Sequence, residues 1–92
     1  MKNLEIARDF DLIADLLELK GENPFRIRAY RRAAQNLGTL SEDVESLRAR
    51  DRLDDIPGIG PDLAGKIGEY LKTGQIEALD DGLLAVTQAD VF

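Results

Sequence analysis

The segment IPGIGP, residues 56–61, constrains the fold of this chain more than any other stretch of its sequence. Proline fixes its own φ at roughly −65° and glycine readily takes a positive φ, so Pro57-Gly58 predicts the centre of a type II turn. Gly60 followed by Pro61 predicts the start of a helix, because proline is favoured at the first helical position. The segment therefore presents backbone N–H groups at a helix N-terminus, where they can bind an anion.

Helices are predicted on both sides of this turn, because apolar residues recur there at spacings of three and four. The predicted helices span residues 4–20, 24–37, 42–50 and 61–73, with short helical turns over 52–55 and 75–80. No alternating strand pattern is present, so the chain is predicted to be all-α, a compact bundle of four main helices with a helix-hairpin-helix motif. We expect residues 1–80 to form this domain and residues 81–92 to form a tail that begins a further segment.

The predicted helix ends depend on capping residues. Asn3, Asn23 and Ser41 precede apolar runs and carry side chains that can accept a hydrogen bond from the first N–H groups of a helix. Gly38 and Gly74 are expected to end the second and fourth helices, since glycine adopts the left-handed conformation of a C-cap at little cost.

The composition excludes some kinds of site. The chain has no cysteine and no histidine, so thiolate and imidazole metal sites and histidine-based acid–base catalysis are excluded. The formal net charge is −6, yet residues 20–36 hold five basic groups against one acidic group. A basic island in an acidic chain favours contact with a polyanion at this one place. No apolar run has the length of a membrane span, and we expect a cytoplasmic protein without a membrane partner.

Three arginines of the second helix are predicted to fall on one side of it, because Arg28 precedes Arg31 by three residues and Arg32 by four. They are interpreted as contacts to the phosphates of DNA. The alternative is a solvated face whose arginines pair with nearby carboxylates. Only the first interpretation makes the affinity for DNA fall steeply with salt.

Three stretches together resemble the N-terminal, lyase-type domain of the X family of DNA polymerases, found in DNA polymerase beta and in bacterial relatives. They are EIARDFDLIADLLELKGENPFRIRAYRRAAQNL at 5–37, LSEDVESL at 40–47 and IPGIGPDLAGKIGEYLKTG at 56–74. The resemblance implies a small helical bundle that binds gapped DNA on the 5′-phosphate side, without sequence preference, in gap or base-excision repair. It also implies that polymerase domains accompany this domain in a longer chain.

The resemblance implies roles for individual residues. Lys66 falls on the lysine that forms a Schiff base with a 5′-deoxyribose phosphate, Arg26 on a phosphate-binding lysine, and Tyr30 on a tyrosine that lines the same pocket. The full set of predicted DNA- or phosphate-binding residues is Gly58, Ile59, Gly60, Arg26, Arg28, Tyr30, Arg31, Arg32 and Lys66.

The turn carries a second implied site. In the family, backbone carbonyls of the hairpin bind a monovalent cation that bridges to a DNA phosphate. Here these carbonyls would belong to Asp54, Ile56 and Ile59, and the cation would be K⁺ or Na⁺. Ile56 and Ile59 are also expected to anchor the turn in the core. No tightly bound cofactor is expected.

The chain departs from the family pattern at three pocket positions. Asp62 and Ala78 stand where the family has lysines, and Phe25 stands where it has a histidine. Asp62 precedes Lys66 by four residues, so on a helix it would favour the charged ammonium, whereas a Schiff base needs the free amine. These changes weaken the 5′-phosphate site and the lyase interpretation.

Three functions therefore stay open at the level of sequence. The first is a DNA-binding module for gapped or 5′-phosphorylated DNA, and the second is a 5′-deoxyribose-phosphate lyase. The third is a protein-interaction module that uses the acidic helix 4–20 or the tail 82–92. The carboxylates of a polymerase site, which the family carries on a strand, have no counterpart here, so no polymerase chemistry is expected from this chain.

Overall fold

The computed structural model describes residues 1–77, and within them it contains four α-helices and no β-strand. The elements are α1 (Asn3–Leu19), α2 (Pro24–Thr39), α3 (Val44–Ala49), a 3₁₀ turn (Leu53–Asp55) and α4 (Pro61–Thr73). The predicted all-α bundle of four main helices is confirmed. The tail 81–92, the end of the predicted turn 75–80 and Ala78 lie outside the described residues. In the part of the chain that is described, no helix is long and apolar enough to cross a membrane.

The first two helices form the most extensive contact between elements. α1 ends at a turn in which Gly21 takes a φ of 69° and donates its N–H to the carbonyl of Glu18 at 3.0 Å. α2 begins directly afterwards, because the Oδ1 of Asn23 accepts the N–H of Phe25 at 2.9 Å and Pro24 takes the first helical position. The predicted cap at Asn23 is confirmed, and caps of this type stabilise a helix by about 1 kcal/mol.

Two other predicted caps are wrong. Asn3 is the first residue of α1, and its buried amide donates to the carbonyl of Glu42 at 2.6 Å and accepts the N–H of Val44 at 3.1 Å. This contact between distant segments replaces local capping, because it satisfies both ends of the amide inside the fold. Asp43, rather than Ser41, caps α3 by accepting the N–H of the second helical residue at 3.1 Å.

The predicted ends of the second and fourth helices have different outcomes. α2 continues through Gly38 to Thr39, so the predicted stop at Gly38 is wrong; a glycine in a helix costs about 1 kcal/mol and does not by itself end it. Gly74 ends α4 as predicted, with a φ of 83° and an N–H donated to the carbonyl of Tyr70 at 2.7 Å.

The core is a single cluster to which all four helices and the 3₁₀ turn contribute. Its largest fully buried side chains are Tyr30, Phe10, Ile6, Leu37, Ile67, Ile76 and Val44. The rings of Phe10 and Tyr30 meet edge to face with centroids 5.5 Å apart, which joins α1 to α2. Ile56 and Ile59 are both buried, so the prediction that they anchor the turn is confirmed. Burial of such a side chain contributes about 1.5–3 kcal/mol, and the turn is therefore fixed to the core.

Candidate nucleic-acid interface

The turn before α4 has the predicted type II geometry. Gly58 has a φ of 82°, and the N–H of Ile59 donates to the carbonyl of Ile56 at 3.0 Å. These are the marks of a type II turn with Pro57 at its second position and glycine at its third. Glycine is required at position 58, because other residues adopt this backbone conformation only with strain.

α4 begins immediately after the turn without a side-chain cap. Gly60 is extended, with a φ of −89° and a ψ of −175°, and its carbonyl accepts the N–H of Ala64 at 2.9 Å. Within residues 1–77, the N–H groups of the first helical turn receive no side-chain acceptor, and they carry the positive end of the helix dipole. Asp62 is the acidic residue of this first turn.

The turn packs directly on α2. The Nδ2 of Asn36 donates to the carbonyl of Pro57 at 2.6 Å. A Cβ added to Gly58 would lie 3.1 Å from Asn36 Nδ2 and 3.5 Å from Arg32 Cγ, so the aliphatic stem of Arg32 lies beside the turn. Arg32 is exposed, and a flexible guanidinium on such a stem can reach the surroundings of the hairpin. The sequence did not predict a contact between Asn36 and the turn. The one indication of it in the sequence is that Asn36 lies one helical turn after Arg32.

Arg31 lies on the other flank of α2, against α1. Its guanidinium is 2.6 Å from a carboxylate oxygen of Glu18, 2.9 Å from one of Asp15 and 3.8 Å from one of Asp11. The hydrogen bonds to Glu18 and Asp15 raise the pKa of Arg31 further above its ordinary value. Arg31 thus has the surroundings of the alternative interpretation, an arginine paired with carboxylates, and its contact with DNA stays a prediction.

The three arginines lie on the side of α2 that faces away from its buried residues Tyr30, Ala33, Ala34 and Leu37, but their immediate neighbours differ. Consecutive residues point roughly 100° apart around a helix, so Arg31 lies toward α1 and Arg32 toward the hairpin. Arg28 lies with its Cζ 4.7 Å from the ring centroid of Phe25, a cation–π contact. Phe25 is 74% exposed, and Arg26 and Arg28 are open to solvent near the start of α2.

Lys66, the predicted Schiff-base lysine, is mostly enclosed, with 18% of its side chain exposed. Its Nζ donates to Oδ1 of Asp62 at 3.1 Å, so the ion pair expected from the spacing is present. Burial acts to lower the pKa of Lys66, but the hydrogen bond to Asp62 and the interaction with the Tyr30 hydroxyl outweigh burial and leave the pKa raised. The structure therefore favours the charged ammonium.

The hydroxyl of Tyr30 lies in the same place. Tyr30 is 1% exposed, and its Oη has no hydrogen-bond partner within residues 1–77. The Lys66 ammonium interacts with this hydroxyl. A buried hydroxyl without a partner costs about 1–3 kcal/mol. Tyr30 and Lys66 thus lie near each other, and Arg26 lies one helical turn before Tyr30; their roles in phosphate binding stay predictions.

The carbonyls predicted to bind a monovalent cation belong to this turn and the 3₁₀ segment before it. The carbonyl of Ile56 accepts the N–H of Ile59, whereas no backbone N–H of the described residues donates to the carbonyls of Asp54 and Ile59. Neutral oxygen donors of this kind suit a hard cation of low charge. Residues 1–77 contain no cluster of histidine, cysteine and acidic side chains that could hold a metal ion. The donor set fits the predicted cation, and the site stays a prediction.

A groove of about 740 Å³ lies between α4 and the segment 48–54, on the side of the hairpin lined by Asp54 and Pro61. Its charged lining residues are Arg48, Lys72, Asp51, Asp54 and Glu69. A lining of both signs gives no preference for a polyanion, and Lys66 lies on a different face of α4. We therefore place the candidate interface at the hairpin and α2 and not in this groove.

Comparison with known proteins identifies relatives of this arrangement. The sequence profile of the helix-hairpin-helix domain family matches residues 1–76, which include all four helices and the turn. The protein named DNA polymerase/3′-5′ exonuclease PolX from Bacillus subtilis (strain 168) is 36% identical over 80 residues. That alignment covers 87% of this chain and 14% of the relative, so the chain spans a small part of the relative's length.

Proposed function

This chain belongs to the helix-hairpin-helix domain family, in the form found at the N-terminus of family X DNA polymerases, and on that premise we propose that it binds DNA through phosphates without reading base sequence. The observation that carries the proposal is the packing of the Gly58 turn on Arg32 and Asn36. This packing brings the side chain of Arg32 beside the turn that leads into the uncapped N-terminus of α4. Half or more of protein–DNA hydrogen bonds go to the phosphate and sugar backbone, and backbone N–H groups are among the usual donors.

The net negative charge of the chain is compatible with this proposal. Backbone N–H groups need no basic side chain to hold a phosphate. The excess of positive charge within residues 20–36 is carried largely by α2, on which the turn packs. A K⁺ or Na⁺ ion held by the carbonyls of Asp54, Ile56 and Ile59 would add positive charge at the same surface.

We extend the proposal to gapped DNA with a 5′-phosphate. The support comes from the second part of the site, where Lys66 and the buried, unpartnered hydroxyl of Tyr30 lie together. A terminal phosphate carries a charge of about −1.5 to −2 at pH 7, and its oxygens can accept from an ammonium and a hydroxyl at once. The further roles in repair and in a longer polymerase chain belong to the same proposal, as does a cytoplasmic location.

Fluorescence anisotropy with gapped, nicked and blunt duplexes, each with and without a 5′-phosphate, tests the proposal. We expect the tightest binding to the 5′-phosphorylated gap and an affinity that falls with salt. Arg32→Ala should weaken binding to every duplex, whereas Arg8→Ala, an exposed arginine of α1, serves as the matched control with the same charge change. Binding that is equal for all duplexes would remove the gap and 5′-phosphate part, and no binding below about 100 μM would remove the proposal.

The proposed function is DNA binding without lyase activity. A lyase needs Lys66 as the free amine, and the contact with Asp62 raises the pKa of this lysine instead. Borohydride trapping on a gapped duplex with a 5′-deoxyribose phosphate tests that limit. We expect no adduct that depends on Lys66, and an adduct that Lys66→Ala abolishes would establish the lyase.

The third hypothesis, a protein-interaction module, stays a prediction. Part of its acidic surface is already occupied, because Asp11, Asp15 and Glu18 of α1 surround Arg31. The tail 82–92 lies outside the described residues. Absence of DNA binding would favour this hypothesis over the proposed function.

A further inference from the structure

Asp62 stands where the incoming phosphate of the proposed function would bind. It lies in the first turn of α4, within the positive end of the helix dipole, and its side chain is 76% exposed. Its Oδ1 accepts from the Nζ of Lys66 at 3.1 Å. The Asp62 carboxylate thus already interacts with both features that would favour a bound anion here, the N-terminus of α4 and the Lys66 ammonium.

A second observation indicates that this place is built for a ligand. The hydroxyl of Tyr30 is buried, has no hydrogen-bond partner within the described residues, and lies beside the Lys66 ammonium. The carboxylate of Asp62 satisfies Lys66 but leaves the Tyr30 hydroxyl unsatisfied. A phosphate, which has more acceptor oxygens than a carboxylate, can satisfy both groups.

We infer that Asp62 is an internal competitor for the 5′-phosphate, a specificity-determining residue that holds Lys66 in a closed ion pair until the phosphate of a DNA end displaces it. The inference rests on the proposed function and adds a regulating residue to its phosphate site. In the free protein, Asp62 keeps Lys66 charged and paired. On binding, the Asp62–Lys66 contact opens, Lys66 contacts the phosphate, and the exposed Asp62 side chain turns to solvent.

Competition of this kind has a selective consequence. A DNA end with a 5′-hydroxyl offers no dianionic group to Lys66, so the closed pair does not oppose its binding. An end with a 5′-phosphate must first break the pair and then bind beside a carboxylate of like charge. Removing the charge of Asp62 should therefore tighten binding of the 5′-phosphorylated end and leave the 5′-hydroxyl end nearly unchanged.

The test compares the affinities of wild type, Asp62→Asn, Lys66→Ala and the double variant for one gapped duplex, with either a 5′-phosphate or a 5′-hydroxyl, by anisotropy at fixed salt. Asp51→Asn is the matched control, because it makes the same charge change at an exposed loop position and asparagine tolerates the φ of 57° found there. We expect Asp62→Asn to bind the 5′-phosphorylated gap about twofold to fivefold more tightly, the range that an ion pair of this kind allows. Asp51→Asn should show no such gain.

The expected gain depends on Lys66 and should disappear when Asp62→Asn is combined with Lys66→Ala. A gain of equal size on the 5′-hydroxyl duplex, in Asp51→Asn or in the Lys66→Ala background would reduce the effect to net charge and overturn the inference. A 5′-phosphate preference that Asp62→Asn leaves unchanged would overturn the inference alone. Absence of binding to any duplex would overturn the proposed function and this inference with it.

Discussion

The two flanks of α2 hold consecutive arginines in opposite surroundings. On the hairpin flank, Arg32 and Asn36 lie against the Gly58 turn. On the α1 flank, the guanidinium of Arg31 has three carboxylates within 4 Å, the nearest of them Glu18 at 2.6 Å. One arginine thus packs on a backbone turn, and its neighbour in sequence forms ion pairs with carboxylates of α1. The role of each arginine therefore depends on the element that packs beside it.

The charges on the two flanks of α2 also indicate which flank faces DNA in the proposed complex. Residues 1–19 hold two basic and five acidic groups, and Arg31 on the α1 flank is directed into them. The hairpin flank presents Arg32 beside a turn that carries no acidic side chain between Ile56 and Pro61. Asp54, Asp55 and Asp62 adjoin the turn on both sides, so we expect DNA to approach the hairpin flank through Arg32 and the turn itself rather than through the acidic α1 flank.

The largest expected effect comes from breaking the hairpin flank itself with Gly58→Ala. The substitution forces a positive φ on a residue with a Cβ and brings that atom to 3.1 Å from Asn36. We expect a loss of about 1–3 kcal/mol in the free energy of unfolding, measured by denaturant titration, together with weaker DNA binding. Gly38→Ala is the control, because Gly38 is helical with open space around it, and alanine there should stabilise by about 1 kcal/mol. Equal stability of Gly58→Ala and wild type would contradict the assigned turn.

The second prediction separates the two arginines directly. Arg32→Ala should weaken binding to a gapped duplex severalfold and reduce the slope of log affinity against log salt by about one. Arg31→Ala should have the smaller effect, because its guanidinium is already bound by carboxylates. Salt titrations of both variants by anisotropy provide the measurement. If Arg31→Ala weakens binding as much as Arg32→Ala, the ion cluster opens on binding and the two flanks act alike.

Local chemistry predicted part of this arrangement. The type II turn, the cap at Asn23 and the Asp62–Lys66 pair depend on residues close in sequence, so residue type and spacing were sufficient. The Asn3 contacts with Glu42 and Val44 join residues about 40 positions apart, and local pattern carries no information about them. The separation of Arg31 from Arg32 likewise depends on where α1 and the hairpin pack.

A smaller effect is expected from Asn36→Ala, which tests how much the contact between α2 and the turn contributes. The variant removes the hydrogen bond from Asn36 to the carbonyl of Pro57 at 2.6 Å, and such a bond contributes about 0.5–1.5 kcal/mol. We expect that loss in the unfolding free energy and faster hydrogen exchange in the turn. Gln35→Ala, at the preceding exposed position, is the control and should leave exchange in the turn unchanged. Unchanged exchange in Asn36→Ala would mean that the buried isoleucines alone fix the turn.

The smallest expected effect concerns the link between α4, which carries the hairpin, and α1. The hydroxyl of Tyr70 donates to Glu5 at 3.0 Å, and Tyr70→Phe removes this bond while keeping the ring. The Tyr70 bond, followed by the charge of Lys2, lowers the pKa of Glu5, so this contribution to stability is present above the ordinary pKa of about 4.3 and is lost as pH falls through the lower folded value.

Burial, followed by the bond to Glu5, raises the pKa of Tyr70, so its contribution is present below the ordinary value of about 10 and is lost as pH rises through the folded value. Wild type should therefore exceed Tyr70→Phe in melting temperature by a small margin that is widest between about pH 5 and 9 and narrows at both ends. Melting curves across this range provide the measurement. A margin independent of pH would assign the effect to packing of the ring edge and not to the bond, because packing does not titrate.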